Sequence, residues 1–573
     1  MIGKLGVGSK QVVFDDSALN AYKADNVTQM LDISVDVSKY CGNLDLLTDN
    51  TQGILNAISV VKNTKQKKLI FSEGIYAYSS LILIENLDQI TVELSPNAEL
   101  YDLGVELNTD LGIMRNPVGF KINNCGKVVV NNLNHDCNVG PNGGSGYGIV
   151  TIPDERVPQF SIENSNTVLI EGGLIKGQQG SAIKSISRDD DNIMNDYYLR
   201  VYKCGNVEVK NVELATNIRG EYFGFYKADV LLWHHCKHIQ EIGDDTFWSF
   251  GKIIQCGNVE YYSHIISSQS TGSFVDVIAD KTYIHDLHID YPVGKFIDIS
   301  NEWNGFKTIQ DDVIIRNCST NGFAIGSTMS SIDDHQKIKK IIIDNFNPKG
   351  KLSTGNLLTL SMFENVEIRN CKLDNTRYTV DGRSVYYDGF ETTKFNRNIL
   401  IENCYIENDN NIVYENGLHV YGSCIVRNTK FNNFNSANLL IEDIKCSDDG
   451  GSDITAITTP STCTFDGCNF EGVNSIIFRC NTVLKNCELN SVLDTVMLQQ
   501  WNATVTVQNV QGEKFSMPSS GFYPQNVFIR STNKYEYGDV GVKYVVLGWV
   551  RLTTGIAHII NTDWRELRVM TGN

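Results

Sequence analysis

Two short segments hold residue types suited to cleaving a glycosidic bond: Ile218-Arg219-Gly220-Glu221-Tyr222-Phe223-Gly224 and Glu241-Ile242-Gly243-Asp244-Asp245-Thr246-Phe247-Trp248. Glycoside hydrolysis needs two carboxyl groups flanking the bond, about 5 to 5.5 Å apart for retention and about 6.5 to 9.5 Å for inversion. Glu221 and Asp244 are separated by 23 residues, close to one turn of the repeat described below. That spacing predicts Glu221 and Asp244 or Asp245 on adjacent rungs of one face. Gly243 would allow a bulge bringing both aspartates to the surface, since regular alternation would bury one of them. Arg219 would orient the pair, and Tyr222 and Trp248 offer ring faces on which a sugar can stack. Lys295 and the Glu302-Trp303 pair fall one to three turns downstream and extend the same candidate groove. A plainer reading stands beside this one. Gly-Asp-Asp is a common turn sequence, Arg219-Gly220-Glu221 can be a turn with a surface ion pair, and half of the nearby aromatics can simply fill a core.

The elements that must position these residues announce themselves by recurrence. Asn365-Val366-Glu367-Ile368-Arg369-Asn370-Cys371 is followed by Asn398-Ile399-Leu400-Ile401-Glu402-Asn403-Cys404, with relatives at Asp312 to Cys318, Gly205 to Asn211 and Thr482 to Cys487. The closing asparagines stand at 317, 345, 370, 403, 428 and 486, an irregular period of the length of one coil. Each phrase alternates with period 2, so Val366 and Ile368 face one way while Glu367 and Arg369 face the other. One coil cannot bury its apolar face alone, so coils must stack at about 4.8 Å per rung. The expectation is an all-β, right-handed parallel β-helix, with equivalent Val, Ile, Cys and Asn aligned through the stack and buried Asn bonding the bends. One helix is predicted from Asp49 to Lys62, its stripe formed by Thr51, Ile54, Leu55, Ile58 and Val61.

The 573 residues carry a formal net charge of −18, which argues against nucleic acid and anionic membrane surfaces as partners. An acidic polymer would have to meet a locally basic groove. The 15 cysteines are an odd number, sit at strand ends and show no paired metal-ligand spacing, so they read as small buried core residues and no metal or cofactor is expected. The adjacent His234 and His235 would point to opposite sides of a strand and could not share a metal. Met1 to Lys10 lacks the apolar run of a signal peptide, and no run is long enough to span a membrane. Three regions are expected: a head at 1–34, a solenoid at 35–510 opened by the capping helix, and a compact β-rich tail at 511–573.

Val35-Asp36-Val37-Ser38, the Thr48 to Lys62 helix, Leu69-Ile70-Phe71-Ser72-Glu73-Gly74-Ile75-Tyr76 and the Asn-Cys rungs together resemble the pectate-lyase-like β-helix of bacteriophage tailspikes. Gly548-Trp549-Val550-Arg551-Leu552-Thr553-Thr554-Gly555 and Asp563-Trp564-Arg565-Glu566 are similar to the ends of phage capsular polysaccharide depolymerases. The resemblance implies a homotrimer in the virion tail, joined to the phage or to another receptor-binding protein by its N-terminal segment and cleaving a bacterial capsular polysaccharide. It also implies roles for the tail in trimerisation or carbohydrate binding. Gly243-Asp244-Asp245 further resembles the acidic pair of polygalacturonase-type hydrolases, with Glu221 in the place of the upstream acid. The next coil, Ser267-Ser268-Gln269-Ser270-Thr271-Gly272-Ser273, lacks that family's His-Gly, so a pectin substrate is not implied. Two alternatives stay open: a polysaccharide lyase using Arg219, Tyr222 or Lys295, and a glycan-binding spike without catalysis.

Overall fold

The computed structural model describes residues 34–572 apart from 110–111, 117, 138–159, 178–196, 217–220, 241–248, 268–272, 290–294, 299–311, 321–322, 327–337, 349–355, 360–362, 375–376, 381–397, 408–415, 421–422, 433–438, 443–461, 472–474, 479–480, 490–495 and 500–503. The alternating phrases form strands that stack in parallel register into three faces. Ile82–Glu85, Gln89–Leu94 and Ala98–Asp102 make one coil, and Phe120–Asn123, Lys127–Asn131 and His135–Cys137 make the next. Ile82 pairs with Phe120, Ile90 with Val128 and Leu100 with His135, so every strand lies over its counterpart one coil on. The second face runs this way from Val35–Asp36 to Val505–Gln508, and the protein is a parallel β-helix.

The Asn-Cys pair is the corner between the second and third faces. Asn317, Asn345, Asn370, Asn403, Asn428 and Asn486 all have φ between 47° and 55°, the left-handed region that asparagine tolerates better than most side chains. The bend turns the next residue inward, and Cys318, Cys371, Cys404 and Cys487 are buried. A cysteine suits the site because it is small and can give its thiol to carbonyls. Cys371 Sγ lies 3.1 Å from the Arg369 oxygen and 3.7 Å from that of Ile343 one rung below. Cys318, Cys371, Cys404 and Cys487 are free thiols. The asparagines, expected to be buried, are instead exposed. Their amides bond one another along the outside, Asn345 Nδ2 to Asn317 Oδ1 at 2.9 Å and Asn509 Nδ2 to Asn486 Oδ1 at 2.8 Å. Backbone geometry, not burial, selects them.

The same corner corrects the histidine expectation. His234 ends its strand, but His235 takes the corner position with φ 53°, so strict alternation fails and the two Nδ1 atoms approach to 2.7 Å. Among the described residues no group of three His, Cys, Asp or Glu is placed to hold a metal.

The capping helix spans Thr51–Val61 and covers the first rungs with Ile54, Ala57, Ile58 and Val61. Gly53 is required there, because a Cβ would lie 2.5 Å from the Tyr40 carbonyl oxygen. At the other end the parallel ladder continues through Gln511–Lys514 and Phe528–Ser531, then turns antiparallel into Tyr544–Arg551 and Trp564–Met570. The tail motif is the joint of this sheet. Arg551 is buried, donates to the carbonyls of Thr553, Gly555 and Ala557, and lies 5.1 Å from the Trp564 ring.

Two fully buried histidines make the core acid-sensitive. His264 stands at a corner where the rung before carries Cys236 and the rung after carries Leu287; its Nδ1 accepts from Cys236 N–H and its Nε2 donates to the Trp233 oxygen, which fixes the neutral ring. His135 Nε2 lies 2.8 Å from the Tyr78 hydroxyl. Burial pushes both rings down to about 3. The unfolded chain takes up these protons below about 6.5, while the folded chain does not until about 3, so stability falls with pH through that window. Melting temperature measured from pH 7 to pH 4 is expected to drop, and His264→Cys is expected to flatten the slope. Parallel curves for the two proteins would mean that His264 protonates in the fold.

Candidate functional site

The first face collects the chemistry. Its inward side is apolar: Phe120 and Phe160 stack at 5.2 Å, and Phe223 and Phe225 pack on Trp233 at 4.8 and 4.9 Å. Phe223, Phe225 and Trp233 thus fill the core, as the plainer reading of the aromatics near Glu221 has it. The outward side carries two register columns. Lys121, Ser161, Arg200 and Gly224 form one, and Asn123, Glu163, Tyr202 and Tyr226 the other.

Glu163 is the centre of these columns. Its carboxylate pairs with Arg200 on the next rung and, at 2.7 Å, with Lys121 on the previous one. Glu163 is only 5% exposed and Arg200 9%, although both lie on the outer side of the coil. Burial pushes the Glu163 carboxyl up, and the adjoining Arg200 and Lys121 outweigh it, leaving it below the usual carboxylate range. Ionised Glu163 therefore steadies the fold at neutral pH and loses that contribution as acid protonates it. Beside it, the Tyr202 ring lies 4.6 Å from Lys203 Nζ and 5.8 Å from both Lys227 Nζ and Arg200 Cζ. Sequence reasoning missed this group because its members are scattered over more than a hundred residues; the signal lay in reading equivalent strand positions down successive coils.

Glu221 opens the next first-face strand, Glu221–Tyr226, and pairs in register with Tyr197 on one side and Ser249 on the other. Ser249 stands across the ladder from Glu221, five and four residues after Asp244 and Asp245 in the sequence. Asp244, Asp245, Trp248, Arg219, Glu302 and Trp303 lie outside the described residues. Tyr222 is the second residue of the Glu221 strand, and Lys295 opens a later first-face strand, Lys295–Asp298. Glu221, Ser249 and Ser273 share one register column, and counting back from the Val275 and Ile297 pair sets Lys295 in it. Three rungs separate Glu221 from Lys295, about 14 Å along the helix. The described members of the predicted set, Glu221, Tyr222 and Lys295, thus all belong to first-face strands.

No family model matches the chain, and no curated relative matches it. Among solved structures it is similar to a tailspike protein of E. coli bacteriophage HK620 in complex with pentasaccharide, at 9% identity over 94% of this chain and 92% of that one, TM-score 0.39. It is also similar to a family 28 exopolygalacturonase of Yersinia enterocolitica, at 12% identity over 84% and 78%, TM-score 0.32. A third is PfbA, a surface adhesin of Streptococcus pneumoniae, at 12% identity over 94% and 99%, TM-score 0.28. At these TM-scores none of them bears on function.

Proposed function

We propose that this protein is a phage tailspike depolymerase that binds a bacterial capsular polysaccharide along the first face of its β-helix and cleaves it by glycoside hydrolysis. The placement of Glu221, Tyr222 and Lys295 supports the reading: all three stand on first-face strands, Glu221 and Lys295 in one register column. Glu221 with Asp244 or Asp245 supplies the acid and the base or nucleophile, while Arg219, Tyr222, Trp248, Lys295, Glu302 and Trp303 hold the chain. Residues 1–34 attach the spike to the virion, 35–510 bind and cut, and 511–573 join a homotrimer. Exposed Leu547, Leu567, Val569 and Met570 on the tail sheet support that last role, since exposed apolar clusters mark contact surfaces.

The cations of the same face favour a second reading, a lyase in which Arg219, Tyr222 or Lys295 promotes abstraction of the proton α to a uronate carboxyl. One experiment separates the readings. The purified protein is incubated with a panel of capsular polysaccharides, following new reducing ends and the ultraviolet absorbance of unsaturated uronates. Reducing ends without that absorbance support hydrolysis, and both signals support elimination. Glycan binding with neither signal leaves a receptor-binding spike without catalysis.

A further inference from the structure

We propose that Lys203 and Lys227, held against Tyr202 at the corner between the first and second faces, form a subsite for the carboxylate of an acidic glycan. The proposal rests on the reading of the first face as the glycan-binding surface and names what that surface selects.

The argument begins with a break in a local rule. The corner before the second face is left-handed in successive coils, occupied by Asn86, Asn124 and Asn164 with φ of 58°, 53° and 49°. Asparagine is the economical residue there, and its amides also bond across coils, Asn124 Nδ2 to Asn86 Oδ1 at 2.7 Å and Asn164 Nδ2 to Asn123 Oδ1 at 2.8 Å. The next two coils put lysine at the same corner, Lys203 with φ 52° and Lys227 with φ 54°. Lysine has no short polar side chain to compensate the left-handed backbone, so a residue is held against its own preference twice in succession. Such outliers point toward function. A third left-handed lysine has a local structural use: Lys67 Nζ bonds the Lys62 oxygen at the end of the capping helix, 2.5 Å away.

The surroundings of Lys203 and Lys227 supply the ligand chemistry. Lys203 is exposed and Lys227 half-buried, and both ammonium groups lie within 6 Å of the Tyr202 ring. Arg200 lies 5.8 Å from the same ring, and it and Lys121 pair with Glu163 on the first face, so Lys203 and Lys227 add to a local group of cations. In a chain of net charge −18 this is a local reversal of sign. A half-buried ring flanked by ammonium groups suits a sugar ring bearing a carboxylate: the ring face takes the C–H surface and the lysines take the charge. A uronate-bearing polymer is the class that fits.

The test replaces each lysine by the residue the corner otherwise uses. Lys203→Asn/Lys227→Asn keeps a residue suited to the left-handed backbone, and circular dichroism and melting temperature should match or exceed wild type. Binding is measured by affinity electrophoresis against polygalacturonate, its carboxyl-reduced form and the acidic members of the capsular panel. Wild type is expected to bind at least one carboxylated polymer, with the double variant weaker by about tenfold or more, a shallower dependence on salt, and no binding of the reduced form by either. Equal binding by wild type and variant, or failure of wild type to bind any carboxylated polymer, overturns the subsite. Binding is scored without cleavage, so an inert protein that loses affinity on substitution keeps the subsite and sinks the depolymerase reading. Cleavage of a polymer with unaltered binding by the variant does the reverse.

Discussion

Glu221→Gln is expected to yield a folded protein that still binds its polysaccharide but cleaves it about 10² to 10⁴ times more slowly, the range by which a positioned acid or base accelerates proton transfer. Glutamine preserves the shape and volume of the side chain and removes its capacity to ionise. Glu221 opens a strand paired on both sides, to Tyr197 and Ser249, so the backbone that carries it is fixed by the ladder whatever the side chain. Retained circular dichroism, an unchanged oligomer size and loss of reducing-end release together would assign the chemistry to this position. Asp244→Asn and Asp245→Asn, measured alongside, would show which aspartate completes the pair. Full activity in Glu221→Gln would sink the assignment. Full activity in both aspartate variants would leave Glu221 in need of another carboxyl, which the ladder permits because Ser249, and neither aspartate, stands across from it.

How far the sequence reached depended on whether an inference rested on local pattern or on counting between coils. Alternation in Val366-Glu367-Ile368 fixes which side chains enter the core, and Val366 and Ile368 are buried as that pattern requires. The helix from Thr51 was legible because Asp49 and the apolar spacing mark its start, and Asp49 Oδ1 does accept the Thr51 N–H at 2.9 Å. The closing asparagines were legible as a repeat but not as a geometry. Nothing in the letters separates a buried amide ladder from an exposed one, whereas the φ values make the distinction immediate. His234 and His235 failed for the same reason, since alternation does not survive a left-handed corner. The Glu221 to Asp244 spacing could not set the register, because coil length varies: the residue across the ladder from Glu221 is Ser249. Glu163 with Arg200 was missed altogether, because contacts between rungs depend on register and register accumulates every loop that precedes it.

Trp233→Ala is expected to destabilise the solenoid by about 3 to 5 kcal/mol, the usual cost of deleting a large aromatic from a packed core. The ring is fully buried on the inner side of the second face, near the corner that leads to the third. It touches Phe223, Phe225, Tyr261 and His264 at centroid distances of 4.8, 4.9, 4.9 and 5.1 Å. Collapse to fill the space is restricted, because each neighbour is fixed by its own rung: Phe223 lies in register with Leu199, and Tyr261 with Ile284. The loss should also be local in character. A solenoid coil contacts chiefly the coils beside it, so a cavity at Trp233 weakens the interfaces on either side while distant rungs keep theirs. Hydrogen exchange is therefore expected to rise first in Glu221–Tyr226, Val230–His234 and the adjoining rungs, with protection of the Asn398–Glu402 strand unchanged. The proposed glycan surface on these coils would loosen with them, so binding should weaken at temperatures where the tail sheet still shows native exchange. A uniform loss of protection along the whole ladder would instead mean that the β-helix unfolds as one cooperative unit.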